Sequence, residues 1–119
     1  MLIGSKFNLT VKPIDIKGLG VFTEDFIKKD SIIEVCHIIE HFSRHDDALK
    51  YYNFTDKNER LFIPLGLGCI YNHSNEPNIK FDVIYKDKVI IFTSLKDINI
   101  DEELCHDYGY TLEGWIWIK

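Results

Sequence analysis

Three short segments hold side chains whose types and spacing could do chemistry. Tyr71-Asn72-His73-Ser74-Asn75-Glu76-Pro77-Asn78 puts an amide beside an imidazole directly after an apolar, glycine-spaced stretch, so the pair should emerge from the core. Asn offers donors and an acceptor, and neutral His offers one of each, a set able to read both edges of an adenine-like ring. Glu103-Leu104-Cys105-His106-Asp107-Tyr108-Gly109-Tyr110 ends on a phenol followed by glycine, which lets the hydroxyl lie against a neighbouring backbone. Gly18-Leu19-Gly20 allows positive φ and close approach of a ligand to the main chain. Taken singly, each has an ordinary explanation: a surface loop, a core tyrosine at a strand end, a turn. A dinucleotide site is disfavoured at the glycines, because no helix signal follows and the remainder is not βαβ.

Other arrangements fail on spacing. His106-Asp107 invites a Ser-His-Asp or metal reading, but no partner stands at a supporting distance. His37, His41 and His45 recur every four residues, yet they straddle an Ile-rich strand pattern and not a helix, so a zinc site is not expected there.

The elements that must position these segments are mostly short strands. Phe7 to Val11 alternates apolar with polar, as a half-buried strand does. A loop through Pro13 to Gly20 leads to a second strand at Val21-Phe22. Ser31 to Phe42, rich in Ile and Val and free of Gly and Pro, reads as one or two strands. Asp46 to Tyr52 is the best helix candidate, capped by Asp46. Thr55 to Arg60 is loop-like, and Leu61 to Tyr71 is apolar but broken by Pro64, Gly66 and Gly68. Ile79 to Tyr85 and Lys88 to Thr93 form a hairpin whose Lys86-Asp87 turn lacks the glycine a type I′ turn prefers. Glu24 to Asp30 and Lys96 to Glu102 echo each other as polar connectors with one apolar anchor. The tail from Tyr108 to Lys119 carries Tyr110, Trp115 and Trp117, aromatics that should dock onto something.

Composition bounds the rest. With 119 residues, 45% hydrophobic and 28% charged, the chain is a single globular domain and not a disordered one. No run of about 18 apolar residues occurs, so no membrane helix is expected. The start, Met1 to Asn8, lacks the basic and long apolar regions of a secretion signal, which points to an intracellular protein. Fourteen basic against 19 acidic residues leave a net charge of −5, which argues against nucleic-acid binding and favours a cationic partner. Glu34, Glu40, Asp46 and Asp47 could flank a basic peptide or simply form a solvated acidic face. Cys36, Cys69 and Cys105 lie far apart without a C-x-x-C pair, and so read as reduced thiols.

Together the three segments say more than each alone. Gly18 to Phe22, Asn72 to Asn78 and Glu103 to Gly109, in that order and at that separation, resemble the SET-domain protein lysine methyltransferases, most of all the minimal viral SET histone methyltransferases. The resemblance covers nearly the whole chain. It implies a mainly β fold of several small curved sheets around a C-terminal pseudoknot, with one or two short helices, and a single domain over residues 1–119. It implies transfer of methyl from S-adenosylmethionine to a lysine ε-amine, with S-adenosylhomocysteine as product and no metal. The partner would be a basic peptide or histone tail, the place of action chromatin in the nucleus (a host nucleus if the chain is viral), and the assembly a homodimer.

By position, backbone around Lys17, Gly18, Leu19 and Gly20 would hold the cofactor, with Asn72 and His73 at its amino-acid and adenine portions. Tyr108 would be the catalytic tyrosine and would also touch the cofactor, and Tyr52 would share the catalytic role of orienting the amine while lining the lysine channel with His106 and Tyr110. Trp115, with Trp117 as competitor, would pack on the adenine. His106 stands where relatives carry Phe or Tyr, so the number of methyls added is left open. The Cys-rich zinc segment that follows the domain in many relatives is missing after Cys105, so Tyr110, Trp115 and Trp117, or a second subunit, must close the pocket. Two alternatives share these motifs: a catalytically silent SET-like binding module, and a methyltransferase for a non-histone lysine. Retention of Tyr108 beside Asn72-His73 argues against the silent module.

Overall fold

A computed structural model describes residues 2–15, 18–41, 54–55 and 61–108. Nine strands and no helix occur among them. The helix expected over Asp46 to Tyr52 lies outside the described residues.

β1 (Leu9–Asp15) and β2 (Gly18–Thr23) form an antiparallel ribbon. The first strand sits two residues later than alternation predicts, and Pro13 to Gly20 is mostly strand and not loop. Pro13 pairs with Leu19, and the register shifts between Pro13 and Asp15. Pro13 stands on β1, the outer strand of the ribbon, and on an outer edge a residue lacking N–H costs no ladder bond, so Pro is tolerated there.

β3 (Ile32–His41), β4 (Phe54–Thr55), β5 (Leu61–Pro64), β7 (Ile79–Ile84) and β8 (Val89–Ser94) make an antiparallel sheet in the order β4-β5-β3-β8-β7, and β6 (Asn72–His73) pairs separately. Of the one or two strands expected over Ser31 to Phe42, the fold has one, and it changes partners along its length. Ile32 to His37 pairs with β8, and Ile38 to His41 pairs with β5. Phe62, Tyr71, Ile90, Phe92, Ile98 and Leu104 are almost fully buried and centre the core on this sheet. The β7–β8 hairpin closes through four residues, Tyr85 to Lys88, with the Lys88 N–H on the Tyr85 carbonyl at 3.2 Å. Lys88 itself takes the positive φ of 54°, so the turn manages without glycine.

The sequence echo is a structural pair. Ile27 and Ile98, the two apolar anchors, are fully buried and exchange reciprocal backbone hydrogen bonds at 2.9 and 2.8 Å. Three residues after each anchor, Asp30 and Asp101 adopt φ of 65° and 70°. Their N–H groups reach Ser94 O and Thr23 O, so the two connectors meet about a local twofold. Asp is among the few residues that enter the left-handed region readily.

The second connector delivers the last segment to β9 (Cys105–His106), which pairs in parallel with β6. On one side Thr23 N–H reaches Glu102 O, and Leu104 N–H reaches Val21 O. On the other, Ser74 N–H reaches His106 O. Residues 102–108 are thereby held between β2 and the 71–78 segment, and all three chemistry-bearing segments become neighbours.

Candidate active site

Gly18 and Leu19 are exposed at the head of β2, whereas Gly20 is buried. A Cβ on Gly18 would meet no heavy atom of the described residues within 4 Å, its two chain neighbours aside, so among these residues nothing crowds its backbone. A Cβ on Gly20 would lie 2.6 Å from Glu103 Oε2 and 2.7 Å from Ile14 Cδ1. The second glycine therefore lets a carboxylate approach the strand, and the first leaves main chain uncovered by the described residues.

Asn72 joins the three segments. Its Nδ2 donates to Leu19 O at 2.8 Å and to Glu103 Oε2 at 2.8 Å. With both amide hydrogens engaged, the polar atom left to the side chain is an acceptor, Oδ1. Glu103 belongs to the last motif, but its contact with Asn72 spans 31 residues and no local pattern announces it. Burial, and then the Glu103 carboxylate, push the neighbouring Cys105 thiol up to about 12.

His73 and Tyr108 hold each other. Tyr108 N–H donates to His73 Nδ1 at 2.9 Å, which makes Nδ1 an acceptor and puts the ring proton on Nε2, facing Asn75 Oδ1 at 3.0 Å. Asp107 Oδ1 stands 3.7 Å from the same Nδ1. The Tyr108 hydroxyl donates to Tyr71 O at 2.6 Å, so its proton is committed and the oxygen can act towards a further group only as an acceptor. The ring of Tyr108 lies between His73 and His106, with centroids 5.3 and 4.8 Å away.

His106 projects to the opposite side, into the core. It is 2% exposed, stacks on Phe54 at 5.4 Å, and meets the Phe81 edge at 5.6 Å. Asn78, at the end of the middle motif, acts as a piece of strand. Its Nδ2 donates to Glu103 O at 2.8 Å, and its Oδ1 accepts from Cys105 N–H at 2.9 Å.

Of the residues singled out from sequence, the fold brings Leu19, Gly20, Asn72, His73 and Tyr108 into one connected cluster, with Gly18 at its margin. His106 backs Tyr108 from the core. Lys17, Tyr52, Tyr110, Trp115 and Trp117 lie outside the described residues. Glu34 does not flank a peptide: it is 5% exposed, and both its carboxylate oxygens accept hydrogen bonds inside the protein. Glu40 pairs with Lys88 at 3.3 Å. Among the described residues no group of three or more His, Cys, Asp or Glu is placed to hold a metal ion, and no helix is long and apolar enough to cross a membrane.

The SET domain family matches residues 18–109, most of the chain. The chain belongs to the SET-domain family. Among curated relatives, a Schizosaccharomyces pombe histone-lysine N-methyltransferase specific for H3 lysine-37 is 28% identical over 107 residues, covering 85% of this chain and 73% of that protein. A Plasmodium falciparum protein, provisionally named histone-lysine N-methyltransferase 1, is 29% identical over 96% of this chain but only 2% of its own length. Solved structures agree on the fold. The crystal structure of a Plasmodium falciparum protein provisionally named a histone methyltransferase superposes with TM-score 0.72 at 27% identity, covering 96% of this chain and 100% of that one. KRYPTONITE, solved in complex with mCHH DNA, H3(1-15) peptide and SAH, gives TM-score 0.75 at 23% identity, with 92% of this chain on 25% of that one. This SET domain is thus similar to proteins named as histone-lysine methyltransferases, and lysine methyl transfer is the activity those relatives support.

Proposed function

We propose that this SET domain is an S-adenosylmethionine-dependent protein-lysine N-methyltransferase acting on a histone tail. The observation that carries the proposal is the single amide of Asn72, which ties the glycine segment to the last motif beside a tyrosine hydroxyl of fixed direction.

The residues fit the cofactor. Asn72 has spent its donors and keeps an acceptor, which suits an α-ammonium group. The uncovered main chain at Gly18 offers room for the remainder of an amino-acid moiety. His73 has Nε2 engaged by Asn75 in its own loop and Nδ1 engaged by Tyr108 N–H from the last motif, so it would meet the adenine by its ring face or main chain and not by a ring nitrogen. When bound, S-adenosylmethionine supplies a methyl group on a positively charged sulfur.

The protein's own part is to orient a neutral amine. Lysine has a reference pKa near 10.4, so deprotonation at about pH 7.4 costs roughly 4 kcal/mol. A dry aromatic setting disfavours the ammonium and lowers that cost. Because Tyr108 donates its proton to Tyr71 O, its oxygen would meet an amine N–H as an acceptor, which turns the nitrogen lone pair in a defined direction. A phenol so engaged orients the amine and is not its base. Alignment of this kind can be worth on the order of 7–11 kcal/mol in a two-reactant step. A histone tail as substrate is supported by the names of the relatives and by the chain's surplus of acidic residues.

The test is transfer of labelled methyl to a mixture of core histones, with Tyr108→Phe in parallel. Label on one histone, lost by tenfold or more in the variant while cofactor binding persists, is expected, since one orienting hydrogen bond is worth about 1–3 kcal/mol. Full activity in the variant would overturn the role of Tyr108. Cofactor binding without transfer to any histone would shift the substrate to another protein or make this a silent module.

A further inference from the structure

Glu34 lies on β3, the middle strand of the five-stranded sheet, and it is 5% exposed. A buried carboxylate needs strong partners, and here they are donors from a single stretch of chain. Oε2 accepts from Leu67 N–H at 3.0 Å, and Oε1 accepts from the Tyr71 hydroxyl at 2.6 Å. The Cys36 thiol lies alongside, its ionisation pushed upward by burial and then by this carboxylate. Gly66 has φ of 64°, and a Cβ there would stand 2.7 Å from Glu34 Oε2, so the turn is shaped around the acid. Among the described residues no lysine, arginine or histidine pairs with Glu34.

The segment so gripped, residues 65–71, runs directly into Asn72 and His73. Tyr71 is the junction. Its ring is buried and tied to Glu34, while its backbone carbonyl receives the Tyr108 hydroxyl at 2.6 Å. One residue therefore couples a carboxylate inside the sheet to the phenol at the site surface.

We infer that Glu34 and Tyr71 form a positioning clamp that sets the direction of the Tyr108 hydroxyl. Glu34 touches neither cofactor nor substrate; it acts by holding the Tyr71 ring, and hence the carbonyl that orients Tyr108. This rests on the role given to Tyr108 above, and extends the site to a residue in the sheet that no motif includes.

Tyr71→Phe removes the hydroxyl and keeps the ring and carbonyl. Turnover at saturating peptide and cofactor is expected to fall about tenfold, because small misplacement of an orienting group costs one to two orders of magnitude. A loss through general destabilisation would add to that of Tyr108→Phe; a loss through Tyr108 would not. In the Tyr108→Phe background, Tyr71→Phe is therefore expected to cause no further drop. The second readout is the ring-carbon Cζ resonance of Tyr108, assigned by its disappearance in Tyr108→Phe, which should move in Tyr71→Phe and, to a smaller extent, in Glu34→Gln. Where Tyr71→Phe alone does not fold, Glu34→Gln/Tyr71→Phe removes the buried charge with the hydroxyl and gives the same readouts. An unmoved Tyr108 resonance or additive losses would overturn the clamp. A fully active Tyr108→Phe would overturn the proposed mechanism instead, and the resonance would still decide whether the clamp exists.

Discussion

Replacing Asn78 by alanine separates two backbone groups from the side chain that now satisfies them. The Glu103 carbonyl loses its donor at 2.8 Å, and the Cys105 N–H loses its acceptor at 2.9 Å. Asn78 is 7% exposed, whereas Glu103 and Cys105 are half-buried, so water replaces only part of what is removed. Leaving one such group unsatisfied costs about 1–3 kcal/mol, and partial rehydration puts the pair at about 2–4 kcal/mol. That is a large share of the roughly 5–15 kcal/mol available to a domain, so the urea midpoint should fall clearly. Asn78→Asp should be worse than its near-identical shape suggests. Its carboxylate can still accept from Cys105, but it confronts the Glu103 carbonyl with no donor. Asn99→Ala, an exposed change that removes no side-chain contact among the described residues, is the control, expected within about 0.5 kcal/mol. Urea unfolding of the four proteins followed by circular dichroism makes the comparison. If Asn78→Ala unfolds within 0.5 kcal/mol of the parent, the side chain is not what holds the last motif in place, and the account of how the site is assembled is wrong.

Gly20→Ala drives a methyl towards Glu103 Oε2 and the partly exposed Ile14, both flexible side-chain ends. Stability should fall by only about 1 kcal/mol, but Glu103 must leave Asn72, so calorimetry should find cofactor affinity reduced about tenfold; unchanged affinity would disconnect Glu103 from the site. Because only the neutral amine reacts, turnover should rise from about pH 7 towards 9, and a flat profile under single-turnover conditions would remove deprotonation from the mechanism. Burial pushes the Cys69 thiol from an ordinary 9.0 up to about 11, and Cys105 is pushed up to about 12. The folded chain keeps these protons where the unfolded chain loses them, so stability is intact below about pH 8 and declines from about pH 9 to 11. Urea midpoints that stay level across that range in the parent would show that the thiols are not responsible, and a decline as steep in Cys69→Ser/Cys105→Ser would rule out these two and leave Cys36.

Local signals in the chain were strong wherever the physics is local. Alternation and β-branched runs located the β7–β8 hairpin and β3, since side-chain direction repeats every second residue in a strand. The paired connectors around Ile27 and Ile98 were visible as an echo, but that they bind each other was not, because nothing in two similar segments states that they meet. β1 was placed too early and β2 too late, because Pro13 and Gly18 read as breakers; the outer strand of the ribbon accepts Pro13, and Gly18 is the first residue of β2. Glu34 was the clearest misreading. An acidic residue in an Ile- and Val-rich run suggested a charge facing solvent, and only the arrival of Leu67 N–H and the Tyr71 hydroxyl makes its burial affordable.

Residue type and order by themselves determined the family, the β character and the three segments that could do chemistry, because each of these depends on the covalent chain and its immediate neighbours. Tertiary structure alone decided what those segments do to one another. Asn72 finds Leu19 across 53 residues and Glu103 across 31, and Tyr108 finds Tyr71 across 37. Such contacts become favourable only after the sheet, the twinned connectors and the parallel β6–β9 pair have met the entropic cost of bringing distant segments together. The direction of a hydroxyl, the free oxygen of an amide and the burial of a carboxylate are properties of that assembled neighbourhood.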